Sequence, residues 1–187
     1  MTDSPGNEIT ASLATAADAE LEADMGLSFV GLNALLMRRY MYEYGWEHSD
    51  FANFSINAHA NGLHNPNARL RNAITKESFL KAPMVSDPIN LMDASPVSDG
   101  AAAIILTNRP MNTKGKTIAV IASAAMTDTI TLQNRKFGTK LMAAEASARS
   151  AYAQAGLEPK DISLFEYHDA FSIMAALSLV AAGFAEP

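Results

Sequence analysis

Apolar residues in the first half of the chain recur at the spacing of one helical face. Residues 25–45 show this period clearly and stop at Gly45, a residue type that commonly ends helices, so the pattern predicts a helix there. Ser49 is the predicted N-cap of a second helix, which the turn-forming residues 64–67 bring to an end. A third, short helix is predicted over 75–81.

The second half has a different sequence pattern, in which short apolar runs alternate with stretches of helical period. The unbroken runs 101–107 and 117–125 are typical of strands that are covered on both faces, and 161–167 is a third predicted strand. Helices are predicted over 139–156 and 168–183, and each ends at a glycine. The order strand, helix, strand, helix indicates half of a layered α/β domain.

Composition excludes several classes of protein. The chain has 187 residues, of which 49% are hydrophobic and 18% charged, with a net charge of −6. Such a chain can bury a sizeable core and lacks the basic surface of a nucleic-acid-binding protein. The absence of cysteine is consistent with a cytosolic setting, and the most apolar segment, 170–184, is too short to cross a bilayer. We expect a soluble, cytoplasmic protein that binds neither nucleic acid nor membrane.

His168 and Asp169 stand side by side where the predicted strand 161–167 gives way to the last predicted helix. Free backbone N–H groups at a helix N-terminus disfavour a charged imidazole, so a histidine in that position is expected to be neutral. A neutral imidazole can donate a hydrogen bond to an oxygen that gathers negative charge. The alternative is structural, with Asp169 as a favourable first-turn charge and His168 as a cap or packing residue.

Two other stretches carry polar groups that a ligand can use. Residues 93–103, which contain Ser95, are interpreted either as a turn that enters a strand or as a loop that lets a ligand approach the backbone. A basic cluster within 69–81 is either a phosphate-binding group or a solvated helix face. Its members are Arg69, Arg71, Lys76 and Lys81.

Several common signatures are missing from the sequence. It contains no G-x-G-x-x-G, no P-loop, no H-E-x-x-H and no G-x-S-x-G, which removes the main evidence for dinucleotide, nucleotide-phosphate, zincin and α/β-hydrolase functions. His59 and His64 are five residues apart and do not share a helical face, so no metal site is predicted.

Three segments, in this order and spacing, resemble the thiolase superfamily, specifically its sterol-carrier-protein-type and archaeal acetyl-CoA acetyltransferase branch. They are MGLSFVGLNALLMRRYMYEYGW at 25–46, VSDPINLMDASPVSDGAAAIIL at 85–106 and GLEPKDISLFEYHDAF at 156–171. The resemblance covers nearly the whole chain and implies an α/β chain that forms part of a thiolase fold. It implies a loop domain over 1–100, the last strand of the N-terminal half over 101–109, and the beginning of the C-terminal half over 117–187, with the polar linker 108–116 at the boundary.

The resemblance also implies roles for individual residues. His168 matches the position that holds a water in the oxyanion hole, with Asp169 in a supporting role, and Ser95 matches a position beside the reacting thioester. Contacts to the nucleotide phosphates of coenzyme A are expected in the loop domain, where the candidates are Arg69, Arg71 and Lys76. The implied substrate is acyl-CoA, without a covalently bound cofactor or a metal. A homo-oligomer is the implied assembly, and other chains are an alternative way to complete the site.

The chain departs from the family in lacking the nucleophilic cysteine, the base cysteine and the Gly-His-Pro segment. We therefore expect an internal piece of an acetyl-CoA acetyltransferase that is inactive alone, because an oxyanion hole only assists steps that the cysteines perform. Two alternatives stay open: a non-enzymatic module that binds coenzyme A or a partner, and a cysteine-free aldolase of the same superfamily. Tyr167 beside His168 keeps the aldolase open. Exposed apolar strand edges are a further expectation, and with them oligomers or poor solubility.

Overall fold

The computed structural model describes residues 6–109 and 118–187, so that most of the predicted linker 108–116 lies outside the described residues. In these two ranges the regular secondary structure is mainly helical, with one small sheet. The α-helices are α1 (Gly6–Ala14), α2 (Phe29–Tyr44), α3 (Ala52–Gly62), α4 (Lys76–Leu80), α5 (Met142–Ala155) and α6 (Ser172–Ala181). The strands are β1 (Met84–Ser86) and β2 (Ile89–Asn90).

Helix α2 confirms the helix that was predicted over 25–45. The Ser28 hydroxyl oxygen accepts a hydrogen bond from the Gly31 N–H at 3.0 Å and caps the first turn. The helix ends at Gly45, which has φ 71° and donates its N–H to the Met41 carbonyl. Glycine adopts this left-handed conformation without the steric cost that a Cβ imposes.

Aromatic side chains form the centre of the core. The Trp46 ring lies 5.3 Å from that of Tyr40 and 5.1 Å from that of Phe51, in the tilted and edge-on arrangements that aromatic pairs prefer. Phe51 and Phe79 are fully buried, and Leu177 of α6 belongs to the same cluster. The core therefore holds the start of α6 against α2 and α3.

The second predicted helix begins differently from the prediction. Ser49 is not its N-cap, because a 3₁₀ turn over His48–Phe51 precedes α3 and Glu47 occupies the cap position of that turn. The Asp50 carboxylate accepts a hydrogen bond from the Glu47 N–H at 2.8 Å. The predicted helix 75–81 is confirmed as α4, whose N-cap Thr75 accepts from the Ser78 N–H.

The two strands form a short antiparallel hairpin, in which Met84 pairs with Asn90 and Ser86 with Ile89. The Asp87–Pro88 peptide bond in its turn is cis. Ile89 and Asn90 are both fully buried, so the chain enters the interior of the protein at the end of this hairpin.

The three predicted strands 101–107, 117–125 and 161–167 are not formed in the part of the chain that the structure describes. Residues 101–107 and 118–125 have no regular secondary structure, and neither does 164–167. Ile105 and Ile118 are 89% and 91% exposed. A strand needs a neighbour for its N–H and C=O groups, and the described ranges supply none to these segments. An apolar run identifies a segment suited to a sheet, but it does not identify the partner strand.

Candidate functional site

Residues 93–95 lie against residues 170–172 and join two of the sequence segments singled out above. Ala94 and Phe171 form an isolated antiparallel bridge. The Ser95 N–H donates to the Ala170 carbonyl at 3.0 Å, and the Ser172 N–H donates to the Asp93 carbonyl at 2.9 Å. The backbone therefore fixes Ser95 directly beside the segment that carries His168 and Asp169.

The Asp93 carboxylate stabilises this bridge from the interior. Its side chain is 0% exposed, and its Oδ2 atom lies 2.7 Å from His48 Nε2 and accepts from the Asn90 N–H at 2.8 Å. The other oxygen accepts a hydrogen bond from the Ser172 hydroxyl. One buried carboxylate thus connects the 3₁₀ turn before α3, the end of β2 and the start of α6.

Asn90 shapes the turn that presents Asp93. The Asn90 Oδ1 atom accepts from the Met92 and Asp93 N–H groups at 2.7 and 3.0 Å, and its Nδ2 atom donates to the Phe79 carbonyl at 2.7 Å. A side chain that bonds its own backbone two and three residues on produces this kind of tight turn.

A cleft of about 450 Å³ opens beside the bridge. Three of the predicted site residues line it: Arg69, Ser95 and Asp169. Its other walls come from α3, from Leu70, Asn72 and Ile74, from residues 91–96, and from the first residue of α6. The volume lies in the range of cavities that bind small molecules. The structure thus brings together three residues that are widely separated along the chain.

Asp169 is the titratable group of the cleft with a perturbed environment. Burial raises the pKa of its carboxyl group, and the Glu166 carboxylate adds to this effect, while a backbone hydrogen bond and His168 oppose it. Burial also raises the pKa of the neighbouring Tyr167 hydroxyl, and the Asp169 carboxylate raises it further. A carboxyl group of this kind keeps its proton to higher pH than a free aspartate and can then donate a hydrogen bond.

The raised pKa of Asp169 predicts a pH-dependent loss of stability. The unfolded chain releases this proton at the ordinary pKa of an aspartate, before the folded chain does, so the stabilising contribution is present below that pKa and is lost as the pH rises through the folded pKa. We expect the wild type to lose free energy of unfolding relative to Asp169→Asn as the pH is raised from about 4 to 7. Urea unfolding of both proteins across this range measures the difference.

Glu43 offers a control of opposite sign. A hydrogen bond from the Thr139 hydroxyl, at 2.5 Å, and one from Arg39 lower the pKa of its carboxyl group. Its contribution is present above the unfolded pKa and is lost as the pH falls through the folded one. The wild type should therefore gain stability relative to Glu43→Gln over the same rise in pH, and two curves that change in the same direction would contradict the assignment.

His168 does not share the cleft with Asp169. It lines a second cavity of about 160 Å³, together with Ala170 of the same segment, while Asp169 and Ser172 line the larger cleft. Successive side chains therefore face opposite sides, as they do in a strand. The two residues therefore line different cavities, and the site roles of His168 and Asp169 stay predictions.

A neutral His168 is expected from its predicted placement at a helix N-terminus, and that placement is wrong. Helix α6 begins at Ser172, with Phe171 as its N-cap, and not at residue 168 as predicted. The field of a helix dipole falls off within its first turn, so it does not act on an imidazole four residues earlier. The position of His168 beside a cavity remains a reason to consider it for binding.

The remaining basic candidates lie elsewhere on the surface. Arg71 and Lys76 are exposed and are not among the residues that line the cleft, so their predicted phosphate contacts stay a prediction. Lys81 pairs with Glu77 one helical turn away, at 2.6 Å. The His59 Nδ1 atom lies 2.8 Å from the Asn72 carbonyl oxygen, and this contact ties α3 to the wall of the cleft.

Sequence reasoning missed the polar network around Asp93. His48 and Ser172 lie 45 and 79 residues from Asp93, so no local spacing indicates that they meet. Asn90 and Asp93 carry the one available signal, because their three-residue spacing at the end of an apolar stretch is typical of a side-chain-stabilised turn.

The arrangement of elements is similar to that of a solved structure, the "Ltp2-ChsH2(DUF35) aldolase". The TM-score is 0.79, and the match covers 99% of this chain and 48% of that chain at 23% sequence identity. At this identity the similarity concerns the fold alone.

Among the described residues, none of the helices combines the length and the apolar character needed to cross a bilayer.

Sequence comparison defines the family. Residues 122–187 match the family model described as "Thiolase C-terminal domain-like". Acetyl-CoA acetyltransferases of Methanothermobacter thermautotrophicus and Methanocaldococcus jannaschii are 41% and 36% identical, each over 95% of this chain. Human sterol carrier protein 2 is 29% identical over 78% of the chain. The chain belongs to the thiolase superfamily, and its likeness to part of a thiolase fold is confirmed. It spans about half the length of the two archaeal relatives, 47% and 46%.

Proposed function

We propose that the cleft beside the bridge binds the acyl-CoA substrate of a thiolase-type acetyltransferase. The observation that carries the proposal is the meeting of Arg69, Ser95 and Asp169 on one cleft of about 450 Å³. The two archaeal relatives that are similar over 95% of this chain are acetyl-CoA acetyltransferases, which supports the choice of coenzyme A thioesters as ligands.

Each of the three residues has a role suited to that ligand. Arg69 is exposed at the cleft, where its guanidinium group can form paired hydrogen bonds with a phosphate. The Ser95 N–H donates to the Ala170 carbonyl and so holds Ser95 at the cleft, where its hydroxyl can approach the thioester end. Asp169, with its raised pKa, can donate a hydrogen bond in its protonated form. The oxyanion role that the resemblance implies for His168 stays a prediction, because His168 lines the second cavity and not this cleft.

We further propose that these 187 residues do not run covalent acyl transfer alone. The sequence contains no cysteine, and thus no thiolate to accept the acyl group or to remove a proton. Incubation of the pure protein with acetoacetyl-CoA and coenzyme A should give no thiolysis above background. A β-hydroxyacyl-CoA in the same assay tests the aldolase alternative, which requires release of a free aldehyde or ketone.

Binding of acetyl-CoA is the direct test of the cleft. Isothermal titration should show saturable binding, and Arg69→Gln should weaken it about five- to tenfold, because one charge-assisted contact to phosphate is lost. Arg71→Gln is the matched control, since Arg71 is an exposed arginine two residues away that does not line the cleft. It should change the affinity less than about twofold. Equal losses in both variants would point to general charge attraction and not to this cleft.

The exposed apolar runs support a proposal about assembly. Ile104, Ile105 and Ile118 are each more than 80% exposed, on segments whose pattern predicts strands. We propose that residues 101–107 and 118–125 pair with strands of another copy of the chain. Sedimentation equilibrium should then show self-association that the double variant Ile105→Lys, Ile118→Lys reduces. A wild type that stays monomeric at all concentrations would argue against it.

A further inference from the structure

The smaller cavity, which His168 lines, is enclosed largely by hydrocarbon. Its volume is about 160 Å³, and it lies between α2, residues 130–135 and the segment that leads into α6. Its apolar walls include Phe29, Leu32, Leu36, Ile130, Leu132 and Met174. Polar groups also reach it, namely Glu22, Asn33, Arg135 and His168.

Arg135 is the unusual member of this set. Its Nε atom is the one buried side-chain nitrogen or oxygen among the described residues without a hydrogen-bond partner. No carboxylate in the described ranges lies within ion-pair distance of its guanidinium group. A buried donor without an acceptor is costly, so this atom indicates a place for a ligand oxygen.

None of the other polar groups of the cavity, Glu22, Asn33 or His168, accepts a hydrogen bond from this Nε atom. The Glu22 carboxylate accepts from the Leu132 N–H at 2.7 Å and from the Asp18 N–H at 3.1 Å, so both of its oxygens are engaged. The Asn33 Nδ2 atom donates to the Phe29 carbonyl at 3.0 Å. Arg135 is therefore left as a cation that faces a small, mostly apolar space.

We propose that this cavity binds a small monocarboxylate, with the carboxylate on Arg135 and the hydrocarbon end against Phe29, Leu32 and Met174. A guanidinium group can hold a carboxylate side-on through its Nε–H and an adjacent Nη–H, which satisfies the buried donor and neutralises the charge. The volume has room for about five water-sized groups, which matches an acid of about three carbons. This site is separate from the acyl-CoA cleft and does not depend on its assignment.

The test uses propionate and the side-chain Nε–H resonance of Arg135 in the full chain. Propionate should shift this resonance in a saturable way, while propionamide, which has nearly the same size but no charge, should bind at least about tenfold more weakly. Absence of a saturable shift with propionate overturns the site. Equal binding of propionamide overturns the carboxylate assignment, because a neutral acceptor would then be sufficient.

Two variants separate this site from general charge attraction. Arg135→Met should abolish propionate binding, measured by calorimetry, whereas Arg149→Met should leave it within about twofold, since Arg149 pairs with Glu145 on the exposed face of α5. Equal losses in both variants would overturn the assignment. The wild-type titration decides the question even where Arg135→Met fails to fold.

Discussion

Replacing Asp93 by alanine should lower the free energy of unfolding by about 3–5 kcal/mol. The Asp93 side chain is fully buried, and its removal leaves His48 Nε2, the Asn90 N–H and the Ser172 hydroxyl without their acceptor. A buried polar group that loses its partner retains its full desolvation cost. The same change loosens the contact between residues 93–95 and 170–172.

Urea unfolding monitored by the fluorescence of the single tryptophan, Trp46, measures this loss. Asp87→Ala is the matched control, because Asp87 pairs with Arg38 at the surface and its side chain is 70% exposed. Surface pairs of this kind contribute about 1 kcal/mol or less. A loss for Asp93→Ala no larger than that of the control would show that the buried network does not hold the two segments together.

Replacing Phe51 by alanine should lower the free energy of unfolding by about 3–5 kcal/mol as well. Phe51 is fully buried, and its ring packs against those of Tyr40 and Trp46. Truncation removes apolar contact area and leaves a cavity at the junction of α2, α3 and α6, which the surrounding rings can fill only in part.

Circular dichroism is the better probe for this variant, since the Trp46 ring lies 5.1 Å from that of Phe51 and its fluorescence would change with the substitution itself. Tyr42→Ala is the control, because Tyr42 lies on the same stretch of chain but is 83% exposed. We expect a change within about 0.5 kcal/mol for the control. A loss for Phe51→Ala below about 1 kcal/mol would contradict the central place of the aromatic cluster.

The helices could be predicted from the sequence because their signals are local. The apolar period of α2, its cap Ser28 and its terminal Gly45 all lie within a few turns of one another. Helix α5 likewise ends at Gly156, as predicted, with φ 67°. The predicted start of α6 at residue 168 is too early, because the bridge between Ala94 and Phe171, a contact distant in sequence, holds the residues before Ser172 outside the helix.

Neither the pairing of strands nor the assembly of the site could be predicted from local sequence patterns. The run 101–107 has the composition of a buried strand, yet a strand forms only with a hydrogen-bonding neighbour, and the pattern does not contain that information. For the cleft, family motifs indicate Ser95 and Asp169, and the basic composition of residues 69–81 indicates Arg69. Asp93 stabilises the bridge that places Ser95 beside the segment of Asp169, and its partners come from three separate segments.

Adjacent residues that serve two separate cavities have a thermodynamic consequence. His168 and Asp169 share one peptide unit, so a displacement of that unit by an occupant on one side alters the geometry offered on the other. If a small acid beside Arg135 changes the affinity for a thioester by some factor, the thioester must change the affinity for the acid by the same factor. Short-chain acids would then act as heterotropic effectors, without ever entering the larger cleft.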